Sequence, residues 1–338
     1  MKQTNSFSAN DAIEDTAQLR VSIVIPVYRG ELSLPGLVAE IEPYTQVQSL
    51  PSGNRFLICE ILLVHDCGPD RSDMVLEELS ARYPFVRPIW LSRNYGQHAA
   101  TLAGMASATG DWVVTIDEDG QQDPSDIGRL LDFALTGAWQ VVYAQPTNPP
   151  PHGFARNIAS HLAKSVANKW LGNGFTGKFN SFRLIDGEIA RTQAAYSGNG
   201  VYLDVGLCWI AGRIGYCRLR LRNEHERPSG YSFVKLVGHF WKLILTTGTR
   251  PLRLITVVGF LSIFLAMGIA GFALYGKYHT DAPVQGWASM LIVMSFFSGC
   301  ILAALGVIAE YLAVTMGIAM GKPLYVVATK PTRSRIGK

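Results

Sequence analysis

Residues 111–124 read DWVVTIDEDGQQDP. An apolar, β-branched run stops at Asp117, Glu118 and Asp119, and Gln121 and Gln122 then lead into Asp123 and Pro124. The run has the composition of a buried strand. Carboxylates at the end of such a strand stand where ligands bind in sheets of parallel strands. Asp117 and Asp119 are one residue apart and can both reach one hard cation. Mg²⁺ or Mn²⁺ prefers oxygen ligands and keeps positions open for phosphate oxygens and water. Gln121 can add a carbonyl. The competing reading is an acidic turn in which Asp123 or Ser125 caps the next helix, with Pro124 in its first turn. The two readings concern different residues, and both stand.

Moving outward, VSIVIPV (21–27) and EILLV (60–64) repeat the buried-strand pattern, and VRPIWL (86–91) and QVVYA (140–144) are weaker versions. Helical stretches lie between them at 33–43, 72–82, 97–108 and 125–136. This alternation predicts an α/β fold with a mostly parallel sheet covered by helices. The polar signals PVYRGE, HDCGPDRS and DEDGQ fall at strand ends. Asp66 is placed to accept a hydrogen bond from a base or ribose, and Asp70 and Ser72 fit N-caps of the next helix. Residues 145–155, QPTNPPPHGFA, read as a loop closing this half. A helix (RNIASHLAKSVANKWL), a glycine-rich turn and a strand-like NSFRLI follow.

The formal charge of +4 over 338 residues makes no case for a nucleic-acid partner. The five cysteines are scattered without a CxxC pair, which argues against disulfides or zinc and for a reducing compartment. Residues 1–19 are polar, have no apolar signal core, and read as a disordered leader.

Two uncharged runs near the C-terminus, 254–275 and 286–309, are each long enough to cross the roughly 30 Å of a bilayer's hydrocarbon as a helix. The alternative is a pair of buried core helices, which rarely run so long without a polar face. Lys242, Arg250 and Arg253 flank one side, and Lys322, Lys330, Arg333, Arg335 and Lys338 the other. By the positive-inside rule both ends of the hairpin are cytoplasmic. Ahead of it, Phe233, Leu236, Val237, Phe240, Trp241 and Ile244 recur at helical spacing between lysines. That pattern fits a helix lying in the membrane interface, or a core helix. Gly268, Gly271 and Gly299 permit close helix contacts, compatible with a homo-oligomer.

Together PVYRGE, HDCGPDRS, SRNYGQHAATLAG, IDEDGQQDP and the hairpin resemble the family 2 glycosyltransferases of GT-A fold. More narrowly, the chain is similar to the polyprenyl-phosphate glycosyltransferases, the group of dolichol-phosphate mannose synthase and the bacterial undecaprenyl-phosphate sugar transferases. The NYGQHAATLAG stretch is most like the branch that transfers formylated aminoarabinose. The resemblance covers about residues 20–330.

The resemblance implies a GT-A domain over 20–230, an interface helix region at 231–251, the membrane hairpin at 252–312 and a cytoplasmic tail at 313–338. It implies that Pro26, Tyr28, Glu31, Val64, Asp66, Asp117 and Glu118 surround the nucleotide. Asp117, Asp119 and Gln121 would hold Mg²⁺ or Mn²⁺. Arg227, Ser229 and Tyr231 in HERPSGYSFVKL, with Arg156 and Ser181, would meet the lipid phosphate. Asp119, Arg183 and Arg227 would carry catalysis, the Arg227 guanidinium matching the geometry of the lipid phosphate.

The implied activity is inverting transfer of a sugar, from a UDP-sugar or another nucleotide diphosphate sugar, to undecaprenyl phosphate on the cytoplasmic face of a bacterial inner membrane. A transferase that elongates a saccharide chain, and a non-catalytic nucleotide-sugar-binding scaffold, are the alternatives. Four departures stand out: His65–Asp66 replaces an acidic pair, Arg29 replaces an asparagine, the segment before Tyr231 is shortened, and Ser181-Phe182-Arg183 replaces Asp-Phe-Arg. The last removes a candidate base. A phosphate monoester with a second pKa of about 6 is largely dianionic at neutral pH and needs positioning more than a base.

Overall fold

The computed structural model describes residues 18–147, 179–198, 202–220, 222 and 286–329, with scattered positions between 255 and 275. Arg156, Arg227, Ser229, Tyr231, the interface-helix segment and residues 1–17 lie outside the described residues.

The alternation seen in the sequence folds into one mixed sheet. Its strands are β1 (Gln18–Val27), β2 (Gln48–Ser49), β3 (Arg55–His65), β4 (Val86–Leu91), β5 (Trp112–Thr115), β6 (Val141–Pro146), β7 (Arg183–Asp186), β8 (Ile214–Leu219) and β9 (Val327–Ala328). The order across the sheet is β8-β6-β7-β5-β1-β3-β4-β9, with β2 paired to β3. Strands β5, β1, β3 and β4 run parallel. β7 lies antiparallel between β5 and β6, and β9 antiparallel to β4. The α/β expectation therefore holds, with a sheet that is mostly parallel but mixed.

Period-2 side-chain alternation divides the strands between two cores. Ile23, Ile25, Ile61 and Leu63 point to one face, with Leu37 and Ile41 from α1 (Leu34–Ile41), Leu76 from α2 (Ser72–Arg82) and Leu130 and Leu131 from α4 (Ile127–Gly137). Val24, Leu62 and Val64 point to the other. There they meet Ala100, Ala103 and Met105 of α3 (Gln97–Ser107), Ala190 of α5 (Gly187–Tyr196) and Leu207 of α6 (Leu203–Ile210). Burial on both faces is why these strands read as near-continuous apolar runs. Small residues bring α3 close to the sheet: a Cβ on Gly104 would lie 2.3 Å from Val24 Cγ1.

Several boundaries differ from the sequence reading; β3, for example, starts at Arg55 and not at residue 60. β1 starts at Gln18, inside the expected leader, because it pairs with β3 from that residue onward. The second apolar run forms α7 (Trp287–Ala319), ten residues beyond its expected end at 309. Among the described residues one helix, Phe296–Gly317, is long and apolar enough to cross a membrane, and that stretch is not buried in the protein. The described positions of the first run are helical and include exposed Phe260, Leu261 and Phe264.

The chain then returns to the sheet. β9, within the expected cytoplasmic tail at 313–338, pairs with β4 through Leu91↔Val327 and Trp90↔Ala328, and Leu324 and Tyr325 pack against the second core.

Candidate active site

The parallel strands β1, β3 and β5 end at one edge of the sheet, and a cavity of about 500 Å³ opens there. Its walls come from Pro26 to Arg29 at the end of β1, Asp66 after β3, Asn94, Gly96 and Gln97 at the start of α3, and Asp117 to Asp119 after β5. Four separate segments thus converge at the place the strand ends predicted.

Polar side chains tie these loops together. Glu118 accepts hydrogen bonds from the backbone N–H groups of Tyr28 (2.9 Å) and Arg29 (3.0 Å), pinning the loop after β1 to the loop after β5. Asp70 and Ser72 do more than start a helix. Ser72 Oγ accepts from Gly30 N (2.8 Å) and Asp70 Oδ2 from Glu31 N (3.1 Å), while Glu31 accepts from Arg71 N (3.1 Å). The loop after β3 passes so near Tyr28 that a Cβ on Gly68 would lie 1.6 Å from its carbonyl oxygen. Only glycine fits that approach.

Asp66 lines the cavity, but its two oxygens accept from the backbone N–H groups of Tyr95 (2.7 Å) and Gly96 (2.8 Å). It therefore holds the wall formed by residues 94–97. Burial pushes its carboxyl above the usual range, although the two amides pull the other way.

Asp117 accepts hydrogen bonds from three side chains. Gln97 Nε2 donates to its Oδ1 at 2.6 Å, Gln122 Nε2 donates to its Oδ2 at 3.0 Å, and Ser181 Oγ also donates to Oδ2. Burial and then the neighbouring Asp119 charge raise its pKa; the Ser181 and Gln122 hydrogen bonds and the Arg183 charge only partly offset them. Asp119 is exposed, with Oδ1 accepting from Gln121 N at 3.1 Å.

Asp117 and Asp119, two oxygen-donor carboxylates on the cavity, would suit a hard cation such as Mg²⁺ or Mn²⁺. Among the described residues no group of three or more His, Cys, Asp or Glu converges, as a closed structural metal site would require.

Several expected site residues lie elsewhere. Val64 is fully buried in the core. Glu31 and Gln121 do not line the cavity, and the Gln121 carbonyl instead accepts from Arg222 N at 2.9 Å. It is Gln122 that turns inward, so the expected metal role of Gln121 has no geometric support. Ser181, expected at the acceptor, spends its hydroxyl proton on Asp117.

Arg183, expected to carry catalysis, is only 4% exposed and forms an ion pair with buried Asp204; its Nε donates to Thr115 Oγ1 at 3.0 Å. Tyr143 donates to the same Asp204 oxygen at 3.0 Å, and burial raises the phenol well above its usual pKa. This buried group joins β6, β7 and α6, and none of its three residues lines the cavity. Asp123 caps the short helical turn Pro124–Asp126, as the sequence suggested, accepting from Ser125 N at 2.9 Å.

Arg29, Asn94, Gln97 and Gln122 were not singled out as site residues. The first three follow β1 and β4, so strand-end position was the available signal. For Gln122 the sequence offered two adjacent glutamines and no local means of choosing the inward one.

The glycosyl transferase family 2 model matches residues 22–193, just over half of the 338-residue chain. An undecaprenyl-phosphate 4-deoxy-4-formamido-L-arabinose transferase of Pseudomonas aeruginosa is 30% identical over 91% of this chain and 89% of its own. One of the same name from Proteus mirabilis is 29% identical over 91% and 93%. An uncharacterized glycosyltransferase of Bacillus subtilis, YkcC, is also 29% identical over 91% and 93%. The crystal structure of glucosyl-3-phosphoglycerate synthase from Mycobacterium tuberculosis, in complex with Mn²⁺, UDP and glucosyl-3-phosphoglycerate, is 16% identical with a TM-score of 0.48, covering 69% of this chain and 80% of that one. From the match across the β1–α5 region, and from relatives similar over nine-tenths of its length, the chain belongs to glycosyl transferase family 2.

Proposed function

We propose that this protein is an inverting, membrane-attached glycosyltransferase that moves one sugar from a nucleotide diphosphate sugar, with UDP as the favoured nucleotide, to a polyprenyl phosphate. The observation that carries this reading is the convergence of Asp117 and Asp119 on a strand-end cavity that Tyr28, Arg29 and Gln97 also line. The names of the Pseudomonas and Proteus relatives support the polyprenyl phosphate acceptor.

In this reading Pro26 and Tyr28 flank the nucleoside, and Asp117 and Asp119 lie toward the diphosphate. A Mg²⁺ or Mn²⁺ held by these two carboxylates would neutralise charge on the departing diphosphate. An acceptor phosphate oxygen attacks the anomeric carbon as the bond to the diphosphate breaks on the opposite side, which inverts the centre. The dianionic acceptor, with a second pKa of about 6, brings its own lone pair, so Ser181 need not act as a base. Arg29 supplies a cation on the cavity wall, and Arg227, Ser229, Tyr231 and Arg156 are proposed for the acceptor phosphate.

The proposed organisation is a cytoplasmic transferase domain followed by an interface helix at 231–251 and a two-span hairpin. The return of β9 to β4 supports that placement, because the chain leaving α7 rejoins the sheet that carries the site.

The test is product formation. Purified protein is incubated with Mg²⁺ or Mn²⁺, a panel of nucleotide sugars and undecaprenyl phosphate, and lipids are read by mass spectrometry. A single-sugar phospholipid is expected. Longer saccharides would indicate chain elongation, and nucleotide binding with no product from any donor would overturn the transferase reading.

A further inference from the structure

We infer that Gln122 and Ser181 are a pair of positioning residues that hold the Asp117 carboxylate in one orientation toward the cavity. This inference rests on the function proposed above.

Gln122 is 3% exposed and uses both ends of its amide on the same residue. Its Oε1 accepts from the Asp117 backbone N–H at 2.9 Å, and its Nε2 donates to Asp117 Oδ2 at 3.0 Å. The same Nε2 donates to Ser181 Oγ at 2.9 Å, and Ser181 Oγ in turn donates a hydrogen bond to Asp117 Oδ2. The three groups form a closed triangle behind one carboxylate oxygen. The other oxygen, Oδ1, meets Gln97 Nε2, which lines the cavity.

The sheet is what brings the pair together. Ser181 lies just ahead of β7, whose antiparallel pairing with β5 sets Thr115 opposite Arg183. Thr115 Oγ1 also donates to the Ser181 carbonyl, which anchors residue 181 beside the end of β5. Gln122 arrives from the other direction, through the turn after Asp119.

A carboxylate fixed by two neutral donors loses its rotation about the Cβ–Cγ bond before a ligand arrives. Outer partners of this kind orient a metal or phosphate ligand, and removing one costs about 10–100-fold in metal affinity or activity. Neutral donors suit the task here, because a third carboxylate beside Asp117 and Asp119 would add repulsion. The serine at position 181 is therefore matched to Gln122: a hydroxyl accepts from the amide and donates to the carboxylate at once.

The test uses full-length protein in detergent. Mn²⁺ binding in the presence of UDP is measured by the electron paramagnetic resonance of free Mn²⁺, alongside kcat and the acceptor KM. Ser181→Ala and Gln122→Leu should each weaken Mn²⁺ binding and lower kcat by about 10–100-fold with little change in acceptor KM. Ser181→Thr, which keeps the hydroxyl, should restore most of both. Wild-type Mn²⁺ affinity and kcat in Ser181→Ala would overturn the inference, as would equal losses in Ser181→Thr and Ser181→Ala. If Gln122→Leu melts below the assay temperature, the Ser181 pair decides alone. A wild-type protein that neither binds Mn²⁺ with UDP nor transfers sugar defeats the functional reading and this inference together. A competent wild type with indifferent variants defeats only the positioning role.

Discussion

The Ser181 hydroxyl donates a hydrogen bond to Asp117, joining the segment before β7 to the cavity-lining residue just after β5. The position where the resemblance expects an aspartate is thus occupied by a neutral group already committed to a carboxylate.

One consequence concerns pH. With the acceptor supplying its own dianion, turnover should rise as pH passes through about 6 and level off above it. Ser181→Ala should lower kcat while keeping that inflection. An inflection that disappears in the variant would show that Ser181 takes part in proton transfer.

Asp119 is the exposed carboxylate of the pair and is not locked as Asp117 is. Asp119→Ala is expected to lower turnover by at least about 100-fold, in line with loss of a group that acts on developing charge. Its melting temperature should stay near that of the wild type. Near-normal activity would exclude Asp119 from the diphosphate site.

Arg183 and Asp204 form a buried ion pair to which Tyr143 also donates. Arg183→Ala leaves a buried carboxylate without its cation and should cost about 3–5 kcal/mol of stability. Replacing both partners, as in Arg183→Met with Asp204→Leu, should recover much of that loss in thermal melts. A variant with unchanged melting temperature but no activity would instead return Arg183 to the chemistry.

Glu60 gives a stability prediction with a definite sign. Burial pushes its carboxyl up, but hydrogen bonds from Thr109 N–H, Ser22 Oγ, Thr109 Oγ1 and Arg87 hold it below its ordinary value. A carboxyl with a depressed folded-state pKa stabilises the fold above its unfolded pKa of about 4.3, and that contribution is lost as pH falls through the folded value. Glu60→Gln should therefore cost about 1–3 kcal/mol at neutral pH. The gap to the wild type should narrow on acidification below about pH 4. A constant gap from pH 7 to pH 3 would contradict the assignment.

The return of the chain to β4 links the C-terminus to the cavity. Ser92 N donates to Val326 O at 2.9 Å, and Asn94 and Gln97, just beyond, line the site. Truncation after Pro323 should weaken UDP binding, read by calorimetry, while the domain still folds. Unchanged affinity would show that β9 only covers a sheet edge.

The sequence alone determined the elements whose signals are local. α2 at 72–82 and β4 at 86–91 match the structure to the residue, and the site lies at the strand ends where the polar motifs fall. Hydrophobic period and strand-end chemistry are carried by near neighbours, so they can be read along the chain.

What the tertiary structure decided are pairings between distant residues. It set β7 antiparallel beside β5, and brought β9 back to β4 from more than 230 positions away. It turned Gln122 inward and left Gln121 on the Arg222 side, and it buried Arg183 against Asp204. Each depends on which partner a side chain meets once the sheet has closed. That is a property of long-range register, and no local pattern encodes it.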